Sequence, residues 1–115
     1  MSAQEEKGSG SPGKEIDLEL LAFIERYVNN PIKWEIVALF GKNPYTRDTA
    51  SGIAQRLGRS PKIILPELFD LSLLGILEHK EMNGQAIFQL RAKKELWNML
   101  FKFVNRFGQQ LDTRW

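Results

Sequence analysis

The chain has 115 residues, 43% of them hydrophobic, and a formal net charge of only +2, which bounds it to one hydrophobic core and a single domain. It has no cysteine and one histidine, His79, so disulfides, thiolate metal sites and any metal centre built on recognisable ligand spacings within one chain are excluded. No run approaches the roughly 18 to 20 consecutive apolar residues of a membrane span, and the start of the chain lacks a secretory apolar core; the expectation is a soluble cytoplasmic protein.

Residues 1–14 are rich in Gly, Ser, Pro and charge, have nothing to bury, and are expected to form a disordered tail ahead of a domain over 15–108 and a short tail over 109–115. The first helix starts after Asp17 as N-cap. Its Leu20, Leu21, Phe23, Ile24, Tyr27 and Val28 make an apolar surface wider than one stripe, which suits a helix clasped between its own domain and a second subunit. Asn30 and Pro31 form an N-cap and N1 pair for a second helix, with Trp34, Val37 and Ala38 or Phe40 toward the core. Residues 41–45 read as a loop.

Thr49 can cap a third helix that buries Ile53, Ala54 and Leu57 and stops at Gly58. Ser60 and Pro61 cap the fourth, which buries Ile64, Leu68 and Leu71 at i, i+4, i+7 and leaves at Gly75. Pro66 either kinks this helix or marks the start of its regular part. Asn83-Gly84 is the strongest two-residue hairpin signal, and Ala86, Phe88 and Leu90 alternate on the return strand. His79 lies at the start of that hairpin. From Ala92 to Phe107 a strongly amphipathic helix carries one ridge of Leu96, Leu100, Phe103 and Phe107 and a second of Trp97, Phe101 and Val104, with Gly108 as its C-cap. Two ridges want two partners.

Helix, tight turn and helix over Thr49–Leu77 is the organisation of a DNA-binding helix-turn-helix. In order and spacing the surrounding segments resemble the ArsR-like winged helix-turn-helix family of transcriptional regulators. Asn30-Pro31-Ile32-Lys33-Trp34-Glu35-Ile36-Val37-Ala38-Leu39-Phe40 resembles the family's second helix, Leu74-Gly75-Ile76-Leu77 the exit from its recognition helix, and Asn83 to Leu90 its wing. The likeness runs from about Asp17 to Phe107. It implies a mainly α fold with a small β-hairpin and N- and C-terminal helices, and a homodimer, paired through the terminal helix, that binds double-stranded DNA sequence-specifically. The family's thiolate metal sensing is ruled out here by the absence of cysteine.

Charge distribution agrees with that implication. Five cations stand against one anion between Lys42 and Lys62, whereas three cations face five anions between Lys14 and Glu35, the asymmetry that a phosphate-facing surface requires. Arg47, Arg56, Arg59, Ser60, Lys62 and Lys80 are the candidate DNA contacts, and Leu20, Phe23, Trp97, Phe101 and Val104 the candidate dimer contacts. No nucleophile with a base at motif spacing, phosphate-cradling glycine loop or paired carboxylates is found, so neither an enzyme nor a cofactor is expected. The wing tip carries Glu81, which makes the hairpin structural first, with a contact from Lys80 as an addition.

The fourth helix departs from the pattern of a base reader. With Ile64, Leu68 and Leu71 inward, Lys62, Pro66, Phe69, Asp70 and Leu73 face outward, and only one of these is a cation. Phe69 and Leu73 then pack on thymine methyls, on the chain's own wing or terminal helix, or on another protein. The alternative function is a winged-helix module that docks a protein partner on this apolar face. Lys93 and Lys94 stand in the first turn of the last helix, where the macrodipole disfavours cations by a few tenths of a kcal/mol. Solvation, a phosphate or a neighbour's acidic helix accounts for them.

Overall fold

Capping chemistry sets where the first four helices begin. In the computed structural model, which describes residues 17–112 with side chains through Phe107, the Asp17 carboxylate accepts from the Leu20 N–H at 3.1 Å and starts α1, Leu18–Tyr27. That N–H, and after it the Lys102 ammonium, holds the Asp17 carboxyl below its ordinary range. Asn30 accepts from the Lys33 N–H at 2.8 Å and, with Pro31 at N1, starts α2, Pro31–Lys42. Thr49 accepts from Gly52 N–H at 3.1 Å ahead of α3, Ala50–Leu57, and Ser60 from Lys62 N–H at 3.2 Å ahead of α4, Pro61–Leu73. Each removes one of the free donors of a first helical turn. The last helix, α5, spans Lys94–Asp112.

Three short strands complete the described chain: β1 Arg47–Asp48, β2 Leu77–Met82 and β3 Gln85–Leu90, antiparallel in the order β1-β3-β2. The β2–β3 turn puts Asn83 at φ +54° and Gly84 at φ +80°, the paired positive dihedrals that a two-residue hairpin following the strand twist demands. Register places His79 opposite Phe88 and Leu77 opposite Leu90. Together with the burial of Leu77, Phe88 and Leu90, this turns one sheet face to the helices.

The core is arranged around α2. Ile36, Val37, Ala38 and Phe40 are buried on it, with α5 packed on one side and α3 and α4 on the other. From those elements Ile53, Leu57, Ile64, Leu68, Leu71, Leu100 and Phe103 complete the same cluster. Trp34 stands edge-on to Phe103 and Phe107, with ring centroids 4.9 and 5.0 Å away, and α1 closes this end by laying Phe23 against Phe103 at 6.4 Å. Lys102 fastens the outside of the joint through Asp17 at 3.1 Å and Glu19 at 3.5 Å.

Several boundaries differ from expectation. Gly41 and Lys42 belong to α2 rather than to a loop; a glycine there lets Val104 of α5 sit directly on the α2 backbone. Gly108 does not cap α5, which starts two residues later than expected and runs on to Asp112. A glycine inside a helix costs only about 1 kcal/mol relative to alanine, and the following Gln-Gln-Leu sequence favours helix. α4 is one helix from Pro61, so its regular part does not begin at Pro66; the missing N–H deprives only the Lys62 carbonyl, and both residues are exposed. β1 was not foreseen. The tail expected over 1–14 and Trp115 lie outside the described residues.

Gly41→Ala tests the α2–α5 joint. Helix propensity alone would favour alanine, but its Cβ would overlap the Val104 Cγ2 methyl, and overpacking of this kind costs about 1–3 kcal/mol. Thermal unfolding should show a lowered Tm for Gly41→Ala, with recovery when Val104→Ala is combined with it.

Candidate nucleic-acid interface

The turn between α3 and α4 is closed by the backbone before any side chain acts. Gly58 takes φ +68°, and its N–H and that of Arg59 donate to the carbonyls of Gln55 (3.2 Å) and Ala54 (2.9 Å), a two-bond closure that requires a residue in the left-handed region. Two ion-pair sets then fix the helix-turn-helix against α2. Arg59 donates through Nε and Nη2 to both carboxylate oxygens of Glu35, at 2.7 and 2.6 Å, and Glu35 is almost wholly buried. Lys33, also buried, reaches Glu67 Oε1 and Asp70 Oδ2 on α4, each at 3.1 Å, while Asn30 Nδ2 donates to Glu67 at 3.3 Å. Burial by itself would push the Lys33 pKa down; hydrogen bonds and charge from Glu67 and Asp70 outweigh it and hold the ammonium above its ordinary value.

The sequence-derived DNA candidates therefore separate into different roles. Arg59, expected on a phosphate, is committed to Glu35 because a buried carboxylate requires a partner. Arg56 pairs with Asp48 at 3.4 Å on the surface. Ser60 is exposed, with its hydroxyl occupied as the α4 cap. Lys62, Arg47 and Lys80 are exposed and without an ion pair among the described residues. Register puts Arg47 opposite Gln89, and Gln89 opposite Glu78, so Arg47, Glu78 and Lys80 share the sheet face turned away from α4. The structure thus gathers Arg47 and Lys80 on one surface and leaves Lys62 at the start of α4 on another.

The outer face of α4 is more apolar than expected. Besides Lys62 and Pro66 it exposes Ile63, Leu65, Phe69 and Leu73; Leu73 is 86% and Phe69 37% exposed. Phe69 leans on the wing, with its ring centroid 5.1 Å from His79 and 5.2 Å from Phe88. Asp70 is exposed, as expected, and also pairs with Lys33. Sequence reasoning missed Lys33 and Glu35 as organising residues. Their signal is two charges in an otherwise apolar stretch of a helix buried on most sides, where each has to find a partner.

The dimer candidates divide in the same way. Leu20 and Phe23 are each 6% exposed, buried in the protomer's own core, and so are unavailable to a second subunit. Trp97 is half-buried: its indole N–H donates to the Arg91 carbonyl at 2.9 Å, and its ring meets Tyr45 at 5.5 Å. Val104 rests on Gly41. Phe101 remains 44% exposed, and Leu18 and Leu21 form an exposed apolar pair on α1.

Two helices joined by a tight turn, packed on a central helix and followed by a hairpin, make this fold a winged helix-turn-helix. Solved structures of transcriptional regulators share it. The antimony-specific repressor AntR superimposes with a TM-score of 0.64 at 12% identity, over 92% of this chain and 99% of that one. The homodimeric DNA-binding domain of Mb0332 from Mycobacterium bovis, a possible ArsR-family regulator, gives 0.60 at 14% identity over 84% and 85%. A possible transcriptional regulator from Methanosarcina mazei Go1 gives 0.59 at 15% identity over 88% of each chain. No protein-family model and no curated protein matches the sequence. The fold expected from the sequence is the one observed.

Arg59→Ala should act on folding. It leaves Glu35 in place without its bidentate partner, and removing one member of such a pair is the costly step. The Tm should fall by several degrees and recover when Glu35→Leu is combined with Arg59→Met; an unchanged Tm for Arg59→Ala would show that the pair does not hold the turn.

Proposed function

We propose that the protein is a cytoplasmic transcriptional regulator that binds specific sequences in duplex DNA as a homodimer. The observation that carries this reading is the exposed, cationic start of α4. Lys62 stands there exposed and unpaired, beside the partial positive charge of the helix end, in a helix-turn-helix whose orientation is fixed by buried ion pairs. Because its first-turn N–H groups are already bonded to Ser60, such an end draws a phosphate through Lys62 and the helix dipole, and the lysine positions the helix on the groove. Arg47 and Lys80 supply further phosphate contacts from the wing side. Ile63, Leu65, Phe69 and Leu73 leave little hydrogen-bonding capacity for base edges, so sequence preference comes from thymine methyls and from DNA shape.

For the dimer, the exposed Leu18 and Leu21 of α1 replace Leu20 and Phe23, while Phe101 of α5 is kept, with Trp97 and Val104 alongside. Exposed apolar side chains on two helices of one subunit are what a two-fold contact would cover. A second reading has its own support in the apolar face of α4: a protein partner docking on Phe69 and Leu73.

Binding to random duplex fragments at two salt concentrations tests the first reading. Affinity should fall steeply with salt, and Lys62→Ala should lower the log–log slope by about 1, the loss of one phosphate contact. Phe69→Ala should have the smaller effect on DNA binding once its melting temperature is matched. If a protein is the ligand the order reverses, because a buried interface aromatic often carries ~2 kcal/mol, roughly thirtyfold in affinity. Salt-independent binding, or none at low salt, would reject the DNA reading.

Assembly is checked separately. Sedimentation at micromolar concentration should find a dimer, and Leu21→Glu combined with Phe101→Glu should yield a folded monomer. A wild-type monomer, or a dimer indifferent to both changes, would overturn this interface.

A further inference from the structure

Between the C-terminal half of α1, the turn that ends α4 and the start of α5 lies an open groove of about 800 Å³, within the size range of small-molecule sites. Phe23 and Tyr27 from α1 and Leu96 and Met99 from α5 line its apolar part, and Leu74–Ile76 form one wall. Its rim carries Arg91 and Lys93 against a single carboxylate, Glu95. The side chains of Arg91 and Lys93 have no ion pair or hydrogen bond among the described residues, although both stand within three residues of exposed Lys94. Three cations thus neighbour one carboxylate, and none of the three is ion-paired among the described residues. An apolar cleft with a net positive rim is complementary to a molecule that is apolar at one end and anionic at the other.

We propose that this groove binds a small aromatic carboxylate. The ring lies against Tyr27, Leu96 and the Met99 thioether, with buried Phe23 behind them, contacts that favour an aromatic body over a plain alkyl chain. The carboxylate lies between Arg91 and Lys93, and Glu95 repels the reversed orientation. Binding needs no DNA. It is coupled to the helix-turn-helix, however, because the wall at Leu74–Ile76 is the turn that closes α4, where Gly75 holds φ +91° and Ile76 N–H donates to the Leu71 carbonyl at 3.0 Å. A molecule seated against that turn biases the angle between α4 and the wing. This coupling rests on the DNA-binding reading; the site itself does not.

The test uses the full chain without DNA, 3-phenylpropionate as probe and 3-phenylpropan-1-ol as its uncharged counterpart, followed by amide chemical shifts. The acid should move the resonances of Gly75, Ile76 and Leu96 saturably, and the alcohol should bind about tenfold more weakly, as expected for the loss of two exposed ion pairs. Arg91→Gln with Lys93→Gln should reduce acid binding to the level of the alcohol while leaving alcohol binding and the Tm unchanged. Met99→Trp, which fills the cleft and keeps the cations, should abolish both. Equal binding of acid and alcohol would overturn the proposal, as would acid binding indifferent to the double substitution. So would absence of saturable shifts up to about 10 mM, or groove amides that respond only to protein concentration, which would assign the cleft to a second copy of the chain.

Discussion

The placement of the helix-turn-helix depends on two charges that α2 carries into the interior. A buried ion pair adds little net stability, since desolvation consumes most of what Coulomb attraction returns, but it tolerates few geometries. Glu35 accepts both arms of one guanidinium from the turn, and Lys33 reaches two carboxylates on the helix that follows. α2 therefore holds α4 at two points, one at the turn before it and one along its length. The apolar contacts of Ile64, Leu68 and Leu71 would permit a helix to roll by a few degrees; these pairs restrict that roll.

The same pairing reshapes the electrostatics. A cluster of cations read along the chain becomes, in three dimensions, a set of internal couples and a few isolated surface charges. Arg59 and Lys33 hold the scaffold together, Arg56 answers Asp48, and the outer face of α4 is left with one lysine among aliphatic and aromatic side chains. Such a surface draws its affinity from shape and desolvation more than from hydrogen-bond readout. Fold likeness leaves the choice of ligand open, because a winged helix is a scaffold on which different faces can be put to use.

What the sequence disclosed was mostly local. Asp17, Asn30, Thr49 and Ser60 each bond to an N–H two or three residues on, and Asn83-Gly84 settles its own turn, so side-chain chemistry within one helical turn was enough to locate them. Features that need a distant partner stayed hidden. β1 is a strand only because Phe88 and Gln89 lie beside Arg47 and Asp48, and two residues carry no periodic signal. Gly41 looked like a loop residue until Val104 supplied a reason for a missing side chain inside a helix. Leu20 and Phe23 could be assigned to an apolar face but not to a partner, and α5 turned out to be that partner. The candidate site was legible as a motif and not as a surface, since the distance from Arg59 to Glu35 spans 24 positions of chain.

The sheet ends on β2, whose outer edge has no neighbour among the described residues. An unpaired edge invites strand addition and, with it, open-ended aggregation. Here that edge runs Glu78-His79-Lys80-Glu81, and growth by backbone pairing would bring charged rows of successive copies into register at a desolvation cost. The protein thus carries sticky side chains on its helices and a guarded backbone on its wing. A charged edge of this kind disfavours open-ended strand addition, so contacts through the exposed leucines and phenylalanines of the helices need not extend into fibrils.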